Sequence, residues 1–123
     1  MVPAEYLSEL RLKATNGRVP KWTEWFDQTD VAGLFPDEEA RRHITDEQRC
    51  LPLAYYEEVV PVPDGWTDIP SGYLLFGPPY DSLAAEARQR GWRLRHVPGQ
   101  HLHMVVDPEA VAGALADLAA SLV

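Results

Sequence analysis

The chain is predicted to be α/β, with a helical first half and a second half of strand, helix, strand, helix whose two strands run parallel. Three observations predict it. Up to about residue 60, apolar residues recur at helical spacing. Beyond it, GYLLF (72–76) and WRLRHV (92–97) are short strand-like runs separated by a helix-length segment that Gly91 closes. The last segment opens on Asp107-Pro108-Glu109, the order of a helix start.

Each element has its own signal. In AEYLSELRLKAT, Tyr6, Leu7, Leu10 and Ala14 share one helical face, so a helix is expected from Pro3 to about Thr15, with Asn16-Gly17 as its stop. In KWTEWFDQ, Trp22, Trp25 and Phe26 recur at three and four residues, which predicts a short helix carrying all three rings. Pro36-Asp37 opens DEEARRHITDEQR, acidic first and basic later, as the helix macrodipole favours. PLAYYEEV, from Pro52 to about Val59, closes the helical region at residue 60. A proline-rich linker over 61–71 follows, in which Pro61-Val62-Pro63 is a spacer and Asp64-Gly65 a turn.

The unit 72–123 then begins. GYLLF reads as a strand buried on both faces, Tyr80 to Arg90 as a helix, and WRLRHV as the second strand, giving one right-handed crossover. The final helix is expected to bury Val111, Leu115, Leu118 and Leu122. All of this is expected to form one compact domain. A two-stranded parallel sheet has two open edges, so a homodimer or a second polypeptide is expected to complete it.

Composition narrows the function classes. At 123 residues and 46% hydrophobic, with four Trp, the chain is a small folded domain and not a disordered one. Eleven basic against 19 acidic residues leave a net charge of −8, which argues against nucleic acid or an anionic membrane as partner. No apolar run approaches the roughly 18–20 residues of a membrane span. MVPAEYLSEL lacks the basic-then-apolar order of a signal peptide, so a cytoplasmic protein is expected. The single cysteine, Cys50, permits no internal disulfide and no cysteine-rich zinc site; between Arg49 and Leu51 it reads as a buried small hydrophobe. No cofactor is implied.

The order of strand, Asp81, helix, Gly91-Trp92, strand and then PGQHLHMVVDPEAVAGAL resembles the C-terminal end of α/β-hydrolases. His101 stands where that family carries its catalytic His, and Asp107-Pro108-Glu109-Ala110-Val111-Ala112 matches the helix start beyond it, with Gln100 replacing a usual glycine. GRVPKWTEWF and LPLAYYEEVVPVPDGW are similar to the cap of small actinobacterial esterase-like members. The family's nucleophile sits in Gly-x-Ser-x-Gly. Here Ser8, Ser71, Ser82 and Ser121 all lack that surround, so the chain resembles the half of a truncated hydrolase that follows the nucleophile.

The resemblance implies His101 as general base and Asp81, after the first strand, as the acid that orients it. An Asp that opens a helix also reads as an N-cap. It further implies that Trp22, Trp25, Phe26, Tyr55 and Tyr56 line a pocket for a small apolar acyl-type ligand; core packing is the plainer reading of the same rings. His103 joins this substrate-binding set, or else satisfies a backbone carbonyl. Read as H-x-H with Asp107, His101 and His103 are too few for a metal site, since His43 and His96 have no reason to converge on them.

The function expected is one part of a split or partner-dependent hydrolase acting on an ester, thioester or lactone, not expected to hydrolyse alone. The alternatives are a stand-alone dimeric small-molecule-binding or acid–base protein of cyclase or isomerase type, and a non-catalytic remnant.

Overall fold

The parallel pairing expected between the two short runs forms in register, Gly72 opposite Arg93 through Leu75 opposite His96. These strands are β1 (Gly72–Leu75) and β2 (Arg93–His96). The computed structural model describes residues 4–123. The chain is mixed helix and strand and divides into two compact units, one of residues up to 33 with 37–62, the other of 34–36 with 63–123. No helix among the described residues is long and apolar enough to cross a membrane.

The first unit is helical. It holds α1 (Ala4–Lys13), α2 (Gln28–Ala32), α3 (Glu38–Glu47) and α4 (Leu53–Glu57). Pro3, expected at the start of α1, lies outside the described residues. Asn16 and Gly17 both have positive φ, 52° and 72°, and Thr15 and Arg18 exchange two backbone hydrogen bonds across them. The expected stop is therefore a tight reversal of the hairpin type. It sends Val19, fully buried, alongside Leu51, whose carbonyl accepts its N–H at 2.8 Å.

The helix expected over 21–28 is a single tight turn at Trp22–Glu24. The carboxylate of Asp27 accepts the Thr29 N–H at 2.8 Å and starts α2 afresh, and a cap residue has non-helical backbone, so one helix cannot run through it. Those backbone bonds hold the Asp27 carboxyl below its ordinary range. Asp37 caps α3 in the same way, accepting from the Ala40 N–H at 2.8 Å. Cys50, expected buried, is exposed. It lies past the end of α3, where no helix face carries it inward.

In the second unit, α5 (Asp81–Gln89) joins the strands, and α6 (His103–Val106) and α7 (Pro108–Ala120) follow. Gly91 closes the turn after α5 with φ of 76°. Asp107 caps α7 through the Ala110 N–H at 3.0 Å. Side chains alternate along a strand, and this sorts the two helices. A Cβ on Gly72 would meet Leu118 of α7 at 2.7 Å, and Arg95 pairs with Asp117 of α7 at 3.3 Å. Gly72 and Leu74, with Arg93 and Arg95, therefore face α7. Tyr73 and Leu75 face α5, and Tyr73 shares a cavity wall with its Ala87 and Arg90.

Three sequence expectations change here. Only Leu75 of β1 is buried while Gly72, Tyr73 and Leu74 are half-buried, because two strands offer too little sheet for full cover on both faces. In α7 the buried stripe is Val111, Ala114 and Leu118, whereas Leu115 is 50% exposed and Leu122 half-buried. The helix is rotated so that the small Ala114, and not Leu115, lies on the buried face with Val111 and Leu118. The residues read as a linker belong from Pro63 onward to the second unit, because the Trp66 ring packs edge-on against Trp92 at 6.0 Å.

Gly72→Ala is expected to cost about 1–3 kcal/mol in urea unfolding, the usual penalty of overpacking. Leu118→Ala should be destabilising alone and yet remove most of that penalty in the double variant, so the two must be non-additive. Simple additivity would show that Gly72 and Leu118 do not touch.

Candidate functional site

The carboxyl ends of β1 and β2 lie side by side, and the pairing continues past them. Val97 donates to Leu75 O at 2.9 Å and Gly99 to Phe76 O at 2.9 Å. Gly77 is buried with φ of 144°, and a Cβ there would lie 3.4 Å from Gly99 O, so two glycines let the loops run in contact. Gly99 also abuts the His103 ring so closely that any side chain would collide with it. These constraints set the loop that carries the histidines.

Tyr80 enters from the β1 side. It stands just before α5, its N–H donating to Gly77 O at 3.1 Å and its carbonyl accepting from Ala84. His101 enters from the β2 side. The Tyr80 phenol oxygen lies 2.5 Å from His101 Nδ1, and the rings stack with centroids 5.7 Å apart at 27°. His101 is exposed and Tyr80 half-buried.

The pairing differs from the acid and base expected. Asp81 is the first residue of α5 and is exposed, and the hydrogen-bond partner at His101 Nδ1 is the Tyr80 phenol. Asp81 is not the N-cap, since Tyr80 holds that position without a side-chain cap bond. Its carboxylate stands in the first turn, where the helix macrodipole favours negative charge. Tyr80 was missed because an aromatic beside a helix start reads as packing. The available signal was its place immediately beyond a predicted strand end, facing the predicted His loop.

His103 packs. Its ring meets Phe76 edge-on at 5.5 Å, its backbone N–H donates to Gln100 O at 2.9 Å, and it is half-buried. Among the described residues no cluster of three or more His, Cys, Asp or Glu side chains converges as a metal site. The hydroxyls of Ser8, Ser71 and Ser121 donate to the carbonyls of Ala4, Ile69 and Leu118, so each is engaged in local backbone bonding.

The dyad has two proton arrangements with opposite chemistry. If the phenol donates to Nδ1, the neutral ring carries its proton on Nε2 and presents a donor there. If Nδ1–H donates to the phenol oxygen, Nε2 keeps a lone pair and is a base.

The ring group expected to line a pocket is, within the first unit, a knot of edge-on contacts. Trp25 is its centre, meeting Tyr6 at 6.1 Å, Phe26 at 6.5 Å and Tyr56 at 5.8 Å. Trp22 meets Phe26 at 5.8 Å and Tyr55 meets Tyr56 at 5.3 Å. The Trp25 indole N–H donates to Pro20 O at 2.8 Å. Phe26 and Tyr55 remain exposed, so the knot has an outer, wet side.

Burial first, and the neighbouring Tyr55 second, push the Tyr56 phenol above its ordinary 10.0. The folded chain therefore holds that proton more tightly than the unfolded chain does. The resulting stability is complete below the ordinary phenol value and is lost as pH rises through the folded-state value. Tyr56→Phe is expected to flatten this alkaline fall in the urea midpoint. An unchanged fall would remove Tyr56 as its source.

No family model, curated protein or solved structure matches the chain.

Proposed function

We propose that the second unit carries the acid–base part of an α/β-hydrolase-like site, with His101 as general base in cleavage of an ester, thioester or lactone. The carrying observation is placement. Tyr80 and Asp81 follow the end of β1, His101 follows the end of β2, and the Tyr80 phenol reaches His101 Nδ1 at 2.5 Å. In open α/β sheets ligands bind beyond the carboxyl ends of the strands.

In this reading Nδ1–H donates to Tyr80, and Nε2 takes the proton of an attacking hydroxyl. The imidazolium then returns that proton to the departing alkoxide or thiolate. Tyr80 fixes the ring plane by stacking and by its hydrogen bond. Asp81, the acid that the resemblance implies, places negative charge one residue beyond. The attacking hydroxyl comes from a second polypeptide, because none of Ser8, Ser71, Ser82 and Ser121 stands in a Gly-x-Ser-x-Gly turn, and the hydroxyls of Ser8, Ser71 and Ser121 are engaged with backbone carbonyls. A second reading, a proton-transfer protein of cyclase or isomerase type, is favoured by the same dyad, since such chemistry needs no nucleophile.

The sheet supports a partner. Among the described residues β1 and β2 have only each other as neighbours, and exposed strand edges accept further strands. Light scattering is expected to give a dimer if a second copy fills that role. A folded monomer would leave the role to a different polypeptide.

The tautomer decides between base and donor. Nitrogen-15 NMR of the neutral ring is expected to show His101 protonated on Nδ1, and Tyr80→Phe, which removes the acceptor, is expected to move that ring toward the Nε2-protonated form. A parent ring protonated on Nε2 would rule out His101 as the base, and a tautomer unchanged in Tyr80→Phe would remove Tyr80 as the group that sets it.

A further inference from the structure

At the opposite end of the sheet, where the strands begin, lies a cavity of about 200 Å³. Its walls are Trp66, Tyr73 of β1, Glu86 and Arg90 from the end of α5, and Trp92 just before β2. The Arg90 guanidinium lies 5.4 Å from the Trp66 ring centre and 5.9 Å from that of Trp92. It also reaches the Glu86 carboxylate at 2.5 Å. A cation thus already occupies an aromatic box with an acidic wall.

We propose that this box is a binding site for an alkylated ammonium head group, and that Arg90 is its built-in, displaceable occupant. Three features favour positive charge there. The faces of two indoles attract cations, and quaternary ammonium groups are held in such cages. The Glu86 carboxylate supplies a counter-charge. The C-terminal end of α5 adds the negative pole of a helix.

Displacement is inexpensive. The Arg90 side chain is 37% exposed and that of Glu86 51%, and exposed ion pairs of this kind hold together weakly. Arg90 can therefore swing into water while a ligand takes its place. The cavity is small beside the roughly 300–1,000 Å³ of drug-sized sites, so it admits a compact head group and not a whole cofactor.

An anion is the competing ligand, and the site disfavours it. It would meet the negative faces of the rings and the Glu86 carboxylate, with Arg90 as its single cationic partner.

The test is an NMR titration of the whole chain, following the indole N–H signals of Trp66 and Trp92. Tetramethylammonium is expected to shift both at millimolar concentration, and the neutral isostere tert-butanol to shift neither. In Arg90→Ala the internal competitor is gone, so tetramethylammonium should bind about tenfold more tightly, as expected for relieving one partly exposed cation–π occupant. Trp66→Ala should abolish the response. Equal response to the neutral isostere, or none to the cation in the parent protein, would overturn the proposal. So would weaker cation binding in a folded Arg90→Ala, which would show that the guanidinium supports the box and does not compete for it. The parent titration needs no variant, so the result stands even if a substitution unfolds the unit.

Discussion

Two neighbouring strands that run parallel can be joined only by a chain that climbs back to the starting end, and that constraint places everything of interest in the second unit. α5 is the return path. Because both strands finish together, the loops 76–80 and 97–103 are neighbours, and Tyr80 meets His101 although 21 residues separate them. Because both strands start together, Tyr73 and Trp92 are neighbours too, and the tight turn bearing Trp66 closes over them. One pairing therefore creates two chemically distinct ends. The glycines at 72, 77 and 99 permit it, since each stands where a side chain would press on Leu118, a loop carbonyl or His103.

Among its described residues the first unit has no sheet to organise it, and its helices α2 and α4 are too short to persist alone. Side chains that reach backbone groups supply the order instead. Lys21 Nζ donates to Thr45 O at 2.7 Å, Gln28 to Thr23 O at 2.9 Å, and Arg18 to Cys50 O at 3.1 Å. Thr23 is buried with its N–H bonded to Gln48 at 3.2 Å. Around these bonds the Trp25 ring packs edge-on against Tyr6 and Tyr56, and Leu10, Val19 and Val31 are the fully buried residues. Rings at helical spacing were thus a sound sign of mutual contact. The helix was not, because Asp27 interrupts it.

Sequence reading succeeded where a local signal has one physical meaning. Asp107-Pro108, Asp37 and Gly91 marked helix ends that the structure places at those residues, and the short runs GYLLF and WRLRHV, with a helix-length segment between them, marked β1, β2 and α5. It failed where the outcome depends on a third body. Which face of α7 is buried depends on the sheet, and the small Ala114 displaced Leu115. Whether Trp66 belongs to a linker depends on Trp92, 26 positions away in the chain. The partner of His101 depends on loop geometry at two strand ends. Asp81 has the right charge and the right place in sequence, but the residue before it holds the ring.

The direction of α5, which the parallel pairing imposes, also sorts the electrostatics. Its N-terminal turn carries Asp81 and lies at the end of the sheet that holds His101; its C-terminal turn carries Arg88, with Arg90 just beyond. A helix favours negative charge at its start and positive charge at its finish. The end with the dyad is thus suited to negative charge. The end with the indoles is suited to a cation. Had the strands paired antiparallel through a tight turn, no helix would separate these ends, and neither would have a preferred sign. In this unit topology assigns the polarity, and the side chains at each end follow it.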